Sequence, residues 1–337
     1  GFHPCRGVNA SIQRSRRIVF FLVPNFSMIA FATAIEPLRL ANRQIGHQFY
    51  QWRLVTESGM TGIASNGVKV EVDGSLEDEK RRFHTEEKPD MVFVCSGVFV
   101  EKYESKSVNS WLRRLNRSGV TVGAMCTGAR VLAKAGLLDD KRCAIHWENL
   151  PGFAEAFPEA EVYTDLFEVD KNIYTCAGGT ASLDMMLSII DTDLGDTVVT
   201  RVCEQALTDR VRNPHDRQRL PLRARLGIHN SKVLTIIELM EANISEPLSL
   251  VELARFAGLS RRQIERLFRR TMGRSPARYY LELRLDRARH LLLQSNLPVV
   301  EVAVACGFVS ASHFSKCYRE FYGRSPLMER REREAAE

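Results

Sequence analysis

The sequence predicts two domains of different class, an α/β domain with a parallel sheet followed by an all-α domain. Three observations predict this. The chain has 337 residues, which exceeds a single domain of ~100–200 residues. Its first two thirds alternate short apolar, β-rich runs with helical patterns, whereas beyond Ser231 only helical periodicity occurs. Between the two patterns, Asp209–Gly227 contains six Arg and two Pro, a composition typical of an exposed linker.

Amino-acid composition argues against several classes of protein. Hydrophobic residues make up 45% of the chain and charged residues 26%, which are ordinary shares for a globular protein. No apolar run approaches the ~20 residues that a membrane-spanning helix needs, so no membrane partner is expected. The 8 cysteines form no C-x-x-C pair and no zinc-spaced cluster with His. We therefore expect no metal, no cofactor and a cytoplasmic location in which the thiols stay reduced.

Changes in pattern divide the chain into five segments. Residues 1–16 carry charge without the apolar core of a secretory signal, and we interpret them as a flexible lead-in. The α/β domain is expected at 17–210, the linker at 211–231, the helical domain at 232–330 and a charged tail at 331–337.

Continuous apolar runs in the first domain favour a parallel sheet that is covered on both faces. The runs that we predict to be strands are Arg17–Val23, Trp52–Thr56, Val68–Val72, Asp90–Cys95 and Val120–Met125. The helices that we predict between and after them are Val108–Arg117, Ala129–Leu138 and most of 180–211.

The net charge of +6 is unevenly distributed along the chain. Residues 228–337 hold 18 Lys and Arg against 13 Asp and Glu, whereas residues 1–227 hold 29 against 28. A basic helical domain suits a polyanionic partner. The near-neutral first domain suits a small metabolite instead.

The helical domain contains an internal repeat. Two capping boxes, Ser249-Leu-Val-Glu252 and Ser260-Arg-Arg-Gln263, each open a helix, and Gly258 marks the turn between these helices. The sequence RRTMGRSP at 269–276 then recurs as REFYGRSP at 319–326, an offset of 50 residues. A helix, a short glycine-containing turn and a second helix form the helix-turn-helix motif. The sequence therefore predicts two such units, of which the second has a turn that is one residue longer.

The second helix of each unit exposes polar side chains that can bind DNA bases or phosphates. In the first unit these residues are Arg261, Arg262, Glu265, Arg266 and Arg269. In the second unit they are Ser310, Ser312, His313, Lys316 and Arg319. A solvated face on an ordinary helical bundle is the alternative for either helix alone, but the repetition favours DNA binding.

This helical domain resembles the DNA-binding domain of AraC-family transcription regulators. The resemblance rests on SRRQIERLFRRTMGRSPARYY (260–280) and EVAVACGFVSASHFSKCYREFYGRSP (301–326), and it covers 232–328. It implies two recognition helices in successive major grooves of promoter DNA, with RNA polymerase as a further partner. Residues carried over as facing bases are Arg262, Glu265 and Arg266 in the first helix, and Ala311, Ser312, His313 and Lys316 in the second. Ala311 has no hydrogen-bonding group and can offer only an apolar contact.

Several small and polar residues follow strand ends in the first domain. The segment Cys126-Thr127-Gly128 joins a strand to a helix, an arrangement in which a thiol stands exposed beside helix amides. Carboxyl ends of parallel strands meet at one edge of a sheet, where α/β folds bind ligands. The candidate effector-binding residues at this edge are Ser96, Gly97, Cys126, Thr127, His146, Trp147, Glu148, Gly178, Gly179 and Thr180. Cys126 and His146 could form a nucleophile–base pair, while Trp147 is either a cation-binding ring or a core aromatic.

The first domain resembles class I glutamine amidotransferase-like proteins of the DJ-1/PfpI branch. CTGARVLAKAGLL (126–138), HW (146–147) and GGTASLDMML (178–187) carry the resemblance, which covers 17–210 and implies a flavodoxin-like sheet. Isonitrile hydratases of this branch carry a functional Asp at the position that Ala30 occupies here. This departure favours a sensor domain with vestigial Cys126 and His146. A thiol enzyme tethered to DNA and a purely dimerising domain are the alternatives.

The combination of both domains resembles bacterial activators that respond to glycine betaine, dimethylglycine, carnitine or arginine. This resemblance implies a homodimeric activator of catabolic genes, whose effector carries a carboxylate together with an amine or a quaternary ammonium group. Helix N-termini near Thr127 and Thr180 could bind the effector carboxylate.

Overall fold

The computed structural model describes residues 14–209 and 211–335. These residues form two compact units. The first unit contains the chain up to His146 together with 159–216, and the second contains 147–158 and the chain from Arg217 onward. Of the lead-in expected at 1–16, residues 1–13 lie outside the described part, and the first strand begins at Arg16.

The first unit is built on a seven-stranded sheet. Its strands and those of two smaller sheets are β1 (Arg16–Leu22), β2 (Tyr50–Thr56), β3 (Gly62–Ile63), β4 (Lys69–Val70), β5 (Gly74–Ser75), β6 (Met91–Cys95), β7 (Thr121–Met125), β8 (Arg142–Ala144), β9 (Glu161–Tyr163), β10 (Phe167–Asp170) and β11 (Ile173–Cys176). The order in the large sheet is β10-β11-β7-β6-β1-β2-β5, and all neighbours are parallel except β10 and β11. Strands β8 and β9 pair with each other in parallel.

Helices cover both faces of this sheet because successive side chains of a buried strand point to opposite faces. The helices of the first unit are α1 (Met28–Ile45), α2 (Leu76–Arg82), α3 (Lys106–Arg117), α4 (Ala129–Lys134), α6 (Ala181–Leu194) and α7 (Asp196–Gln205), with a 3-10 turn at Val100–Lys102. Helix α5 (Leu150–Ala156) belongs to the second unit. On β1, the Phe20 ring packs against Phe31 of α1 at 5.7 Å between centroids. The next residue, Phe21, packs against Trp111 of α3 at 5.6 Å. The predicted α/β class with a mostly parallel sheet is confirmed.

One predicted strand lies outside the parallel sheet. Within Val68–Val72, only Lys69–Val70 is extended, and it pairs antiparallel with Gly62–Ile63. The turn between these strands contains Gly67 at φ 82°, a backbone conformation that favours Gly and permits a tight hairpin. This local hairpin replaces the sheet pairing that the apolar pattern alone predicts.

The second unit is helical in the described residues. Besides α5 it contains α8 (Leu222–Leu226), α9 (Ser231–Ala242), α10 (Leu250–Phe256), α11 (Arg261–Met272), α12 (Pro276–Gln294), α13 (Val299–Ala305), α14 (Ala311–Tyr322) and α15 (Pro326–Ala335). Two apolar clusters form its interior. The first includes Ile264 and Phe268 of α11, and the second includes Phe314 and Tyr318 of α14. Helix α12 contributes side chains to both clusters and thereby joins the two helix-turn-helix units.

Two segments expected to be irregular contain helix. Within the linker range 211–231, α8 forms, and Leu222 and Ile228 are buried in the first apolar cluster of the helical unit. Helix α15 extends through most of the tail range 331–337, as far as Ala335, and residues 336–337 lie outside the described part. In addition, α5 packs against α12, where a Cβ on Gly152 would lie 3.3 Å from the carbonyl oxygen of Gln294.

Candidate functional site

Helix α11 presents one polar face, as its sequence predicts. Ser260 caps the helix by accepting a hydrogen bond from the Gln263 amide, and the Gln263 side chain accepts one from the Ser260 amide. Because Ile264 and Phe268 point into the apolar cluster, the opposite face is left to solvent. The residues that line a groove of about 690 Å³ along this face are Ser260, Arg262, Gln263, Glu265, Arg266 and Arg269.

All five predicted DNA-binding residues of α11 lie on its solvent side, but they differ in their partners. Arg261 forms an ion pair with the half-buried Glu265 at 3.4 Å between Nε and Oε1. Arg262, Arg266 and Arg269 are exposed. This arrangement leaves three guanidinium groups along one helix, and guanidinium groups can bind guanine edges or phosphates.

Helix α14 repeats this construction in the second unit. Ser310 caps the helix by accepting a hydrogen bond from the His313 amide at 3.2 Å. Ser312, Lys316 and Arg319 are exposed. The His313 side chain is exposed too, but its Nε2 lies 3.4 Å from the thiol of the buried Cys317.

The repeated GRSP sequence ends one helix and begins the next in both units. Gly273 and Gly323 follow α11 and α14 in the left-handed conformation, at φ 67° and 73°, and each amide bonds back to a helix carbonyl. Ser275 and Ser325 then cap α12 and α15. Four residues separate α10 from α11 and five separate α13 from α14, which confirms the longer second turn.

Sequence reasoning did not single out Arg284 of α12, which supports the second unit. Its Nε donates a hydrogen bond to the carbonyl oxygen of Cys306 at 2.8 Å, and its Nη2 donates one to that of Gly307 at 2.7 Å. The guanidinium carbon lies 4.1 Å from the centroid of the Phe308 ring. Burial lowers the pKa of Arg284. Nothing in the local sequence pattern of α12 indicates this role, because the partners are 22 to 24 residues away.

The strand ends of the first unit bring several predicted effector-binding residues together. Cys126 follows β7 at φ 59°, an uncommon conformation for a residue other than Gly. Its carbonyl oxygen accepts a hydrogen bond from the His146 amide at 3.2 Å. A Cβ on Gly178 would lie 2.6 Å from the Cβ of Cys126, so only Gly permits this approach. Cys126, His146 and Gly178 therefore meet at one edge of the sheet.

The hydroxyl groups at this edge differ in availability. The Thr127 hydroxyl is buried and donates a hydrogen bond to the Gly97 carbonyl oxygen at 2.6 Å. The Ser96 hydroxyl is also buried, but no described group forms a hydrogen bond with it. A buried hydroxyl of this kind ordinarily bonds to a water molecule or a ligand. Ser96 is thus the predicted residue with the clearest unused hydrogen-bonding capacity.

Other predicted effector residues have partners elsewhere. Trp147 and Glu148 belong to the helical unit, where the Arg219 guanidinium carbon lies 4.3 Å from the Trp147 ring centroid. The Thr180 hydroxyl accepts a hydrogen bond from Nη2 of Arg212 at 2.7 Å. Gly179 offers its carbonyl oxygen to the hydroxyl of Thr33 at 2.6 Å. The structure does not place Trp147 and Glu148 in the same unit as Cys126.

One group of side chains among the described residues has the composition of a metal site. Ligand atoms of Asp165, Glu168 and His215 lie within 4.8 Å of one another. However, Nη2 of Arg142 lies 2.8 Å from the Glu168 carboxylate, and Nδ1 of His215 lies 2.5 Å from that of Asp165. The Arg142 guanidinium thus already supplies a positive charge beside Glu168, and the expectation of no metal stays a prediction.

The fold and these sites define a class of protein, a regulator that joins an α/β domain to a duplicated helix-turn-helix domain. Residues 16–192 match the DJ-1/PfpI family, and residues 253–332 match a family described as a helix-turn-helix domain. No helix in the described ranges has both the length and the apolar character needed to cross a membrane.

Full-length relatives share this architecture. The chain is 42% identical over 324 residues to the HTH-type transcriptional regulator GbdR of Pseudomonas aeruginosa, covering 96% of this chain and 86% of the relative. It is 42% identical over 311 residues to the HTH-type transcriptional regulator CdhR of the same species, covering 92% and 90%. A crystal structure of an AraC family transcriptional regulator from Pseudomonas putida matches with a TM-score of 0.51 and 24% identity, covering 57% of this chain and 100% of that one.

The chain belongs to the HTH-type transcriptional regulators that combine a DJ-1/PfpI domain with an AraC-type helix-turn-helix domain. The two family resemblances noted from sequence motifs are thereby confirmed. Its function as a DNA-binding transcription regulator follows from this membership.

Proposed function

We propose that helices α11 and α14 read two segments of one promoter site, and that a small metabolite bound by the α/β unit controls this binding. The observation that carries the proposal is the matched construction of the two helices. Each begins at a Ser cap, ends at a left-handed Gly and directs two aromatic or aliphatic side chains inward. Each consequently turns a polar face outward, with Arg266 central in the first and Lys316 central in the second.

The DNA-binding part is tested with the full chain and a site selected from random duplexes. Arg266→Ala and Lys316→Ala each remove an exposed cation from one helix. Arg43→Ala is the matched control, because Arg43 is an exposed cation of α1 that forms no ion pair with the described residues. We expect each α11 or α14 variant to lose ~1–3 kcal/mol of binding free energy. Affected base pairs should lie about one helical turn, ~10 base pairs, apart for the two variants.

Fluorescence anisotropy with single-base-pair substitutions in the selected site measures both quantities. Arg43→Ala should bind like the parent at every salt concentration, because its charge lies outside the proposed interface. If Arg266→Ala and Lys316→Ala weaken binding equally for all substituted sites, both residues contact phosphates only. If both bind like the parent, the assignment of these helices is wrong.

The effector part of the proposal is supported by the strand-end geometry. Cys126, His146 and Gly178 converge there, and the buried Ser96 hydroxyl has unused hydrogen-bonding capacity. The effector class that the resemblance implies is a carboxylate with an amine or quaternary ammonium group, and ligands of this class are the candidates to test. Activation of catabolic genes through RNA polymerase, and a homodimeric state in the cytoplasm, are parts of the same proposal.

We infer a sensing rather than a catalytic role for Cys126. Ala30, at the position where hydratases carry an Asp, is a buried residue of α1, so no carboxylate from this position faces the thiol. Labelling with iodoacetamide at neutral pH tests this inference. Cys126 should react no faster than the half-buried Cys203, and much faster reaction would favour a thiol enzyme.

A further inference from the structure

A cavity of about 400 Å³ opens beyond the carboxyl ends of β1 and β2. Its walls are mostly apolar and come from the ends of these strands and from the β3 hairpin. The lining includes the apolar side chains of Leu22, Pro24, Met60 and Ile63 and the hydroxyl side chains of Thr56, Ser58 and Thr61. Met60 is 74% exposed at its rim. We call this space the Glu57 cavity, after the carboxylate that lines it. No motif or spacing in the sequence marks these residues as a site.

Two hydroxyl groups hold the Glu57 carboxylate in place. The phenol of Tyr103 donates a hydrogen bond to Oε2 at 2.8 Å, and the Ser105 hydroxyl donates one to Oε1 at 2.5 Å. Burial is the main cause that raises the pKa of Tyr103, so the phenol keeps its proton and remains a donor. These two hydrogen bonds fix the orientation of the carboxylate at the cavity wall.

The negative charge of Glu57 has no counter-ion in the described part of the chain. Its hydrogen-bond partners, the hydroxyl groups of Tyr103 and Ser105, are neutral, and no Lys or Arg of 14–209 or 211–335 forms an ion pair with this carboxylate. Glu57 is exposed to solvent, and it lines a mostly apolar cavity together with the aromatic residue Tyr103. A cation in this cavity would therefore meet a carboxylate and an aromatic ring together.

We propose that the Glu57 cavity binds the alkylammonium group of a small organic cation. The Glu57 carboxylate supplies the opposite charge, and the ring of Tyr103 supplies a face that attracts cations. The walls of Leu22, Pro24 and Met60 suit the methyl or methylene groups around the nitrogen, which water solvates poorly. This inference rests on the proposed effector-sensing role of the α/β unit and names the residues that recognise the cationic end of the effector.

The same features disfavour an inorganic cation. Divalent metal ions in proteins are held by several ligands, commonly more than one of them a carboxylate. The lining of this cavity has one carboxylate, whose oxygens already accept hydrogen bonds, and otherwise the neutral hydroxyl groups of Thr56, Ser58 and Thr61. An alkylammonium group, in contrast, can be bound by one opposite charge together with an apolar or aromatic surface that fits its carbon atoms. The chemistry of the cavity thus selects an organic cation.

Two probes of the same shape test the inference by calorimetry with the full chain. Glycine betaine carries a trimethylammonium group, and 3,3-dimethylbutanoate replaces its nitrogen by carbon. We expect the parent to bind glycine betaine at least about tenfold more tightly than the carbon analogue, a difference of ~1.4 kcal/mol. Equal affinity for the two probes would overturn the inference.

Variants test whether Glu57 causes the preference for glycine betaine over the carbon analogue. Glu57→Gln keeps the shape of the side chain and should reduce glycine betaine affinity by about tenfold or more, with little effect on the carbon analogue. Glu71→Gln is the matched control, because Glu71 is an exposed carboxylate of the same unit that does not line the cavity. It should bind both probes like the parent. An unchanged preference in Glu57→Gln contradicts the proposal.

A second measurement does not require that a Glu57 variant folds. In protein labelled with ¹³C at the methionine methyl groups, addition of glycine betaine should shift the resonance of Met60, which Met60→Leu identifies. The carbon analogue at the same concentration should shift it less. An unmoved Met60 resonance at saturating glycine betaine places the ligand elsewhere and refutes the proposal.

The outcomes separate this inference from the proposed function. If glycine betaine or a related amine changes DNA binding but the Glu57 variant responds like the parent, the regulator senses its effector at another site and only the cavity assignment fails. If glycine betaine binds in a manner that depends on Glu57 yet leaves DNA binding and transcription unchanged, the cavity assignment stands and the effector-sensing function fails.

Discussion

Replacement of Arg284 by Met should destabilise the second helix-turn-helix unit and spare the first. Met retains much of the apolar stem of the side chain but cannot donate to the carbonyl oxygens of Cys306 and Gly307, which accept hydrogen bonds at 2.8 and 2.7 Å in the parent. Both carbonyls lie in the turn that follows α13. The variant also loses the contact between the guanidinium group and the ring of Phe308.

The expected magnitude follows from these contacts. A hydrogen bond to a charged group contributes ~1.5–3 kcal/mol, and a partly desolvated cation–π contact adds ~0.5–2 kcal/mol. Burial of the guanidinium group, which lowers the pKa of Arg284, offsets part of this sum because desolvating a cation is unfavourable. We therefore expect a loss of ~2–4 kcal/mol in the free energy of unfolding of the second unit.

Hydrogen–deuterium exchange followed by mass spectrometry distinguishes the two units within the full chain. Peptides from α13 and α14 should lose protection by roughly 30- to 1000-fold, the factor that corresponds to this free energy. Peptides from α10 and α11 should remain close to the parent, since their side chains belong to a separate apolar cluster. Arg270→Met is the control, because Arg270 is exposed and forms no ion pair with the described residues.

A single result would refute the reasoning. If protection of α13 and α14 in Arg284→Met stays within about twofold of the parent, the two hydrogen bonds contribute no net stability. An equal loss of protection in all four helices would show that the two units unfold together, so that the separate apolar clusters do not act as separate cooperative units.

Two further predictions concern the turn glycines and a capping box. Gly307→Ala should cost ~2–5 kcal/mol of folding free energy, because its Cβ would lie 2.5 Å from the carbonyl oxygen of Ile244 at φ 75°. Gly258→Ala, at φ 64° in open space, should cost only ~1–2 kcal/mol, and equal costs in urea unfolding would contradict the argument. Hydrogen bonds from Ser249 lower the pKa of the Glu252 carboxyl, so the stability that they contribute is present above the ordinary pKa of Glu and is lost as the pH falls through the lowered value. Ser249→Ala should raise this pKa toward its ordinary value in a ¹³C NMR titration, and an unchanged midpoint would show that the capping hydroxyl does not stabilise the carboxylate.

Local signals in the sequence determined the class of each domain and the face of each recognition helix. Capping Ser residues, left-handed Gly residues and the spacing of inward side chains are short-range features, and the chain within one or two turns decides them. Residues such as Ile264 and Phe268 therefore identified the buried face of α11, and Arg266 the exposed one. Continuous apolar strands predicted the parallel sheet for the same reason, since burial on both faces leaves a local pattern.

Tertiary structure alone decided the contacts between residues that are distant in the chain. The Glu57 carboxylate accepts a hydrogen bond from Tyr103 because the segments that follow β2 and β6 approach each other, although β1 lies between these strands in the sheet. Trp147 follows His146 directly, yet it packs on Arg219 in the other unit, because the chain passes between the units at this point. Such contacts depend on which distant segments the fold brings next to each other, tens of residues apart in the chain. Periodicity and helix caps are local features of the sequence, and they carry no information about contacts between distant segments.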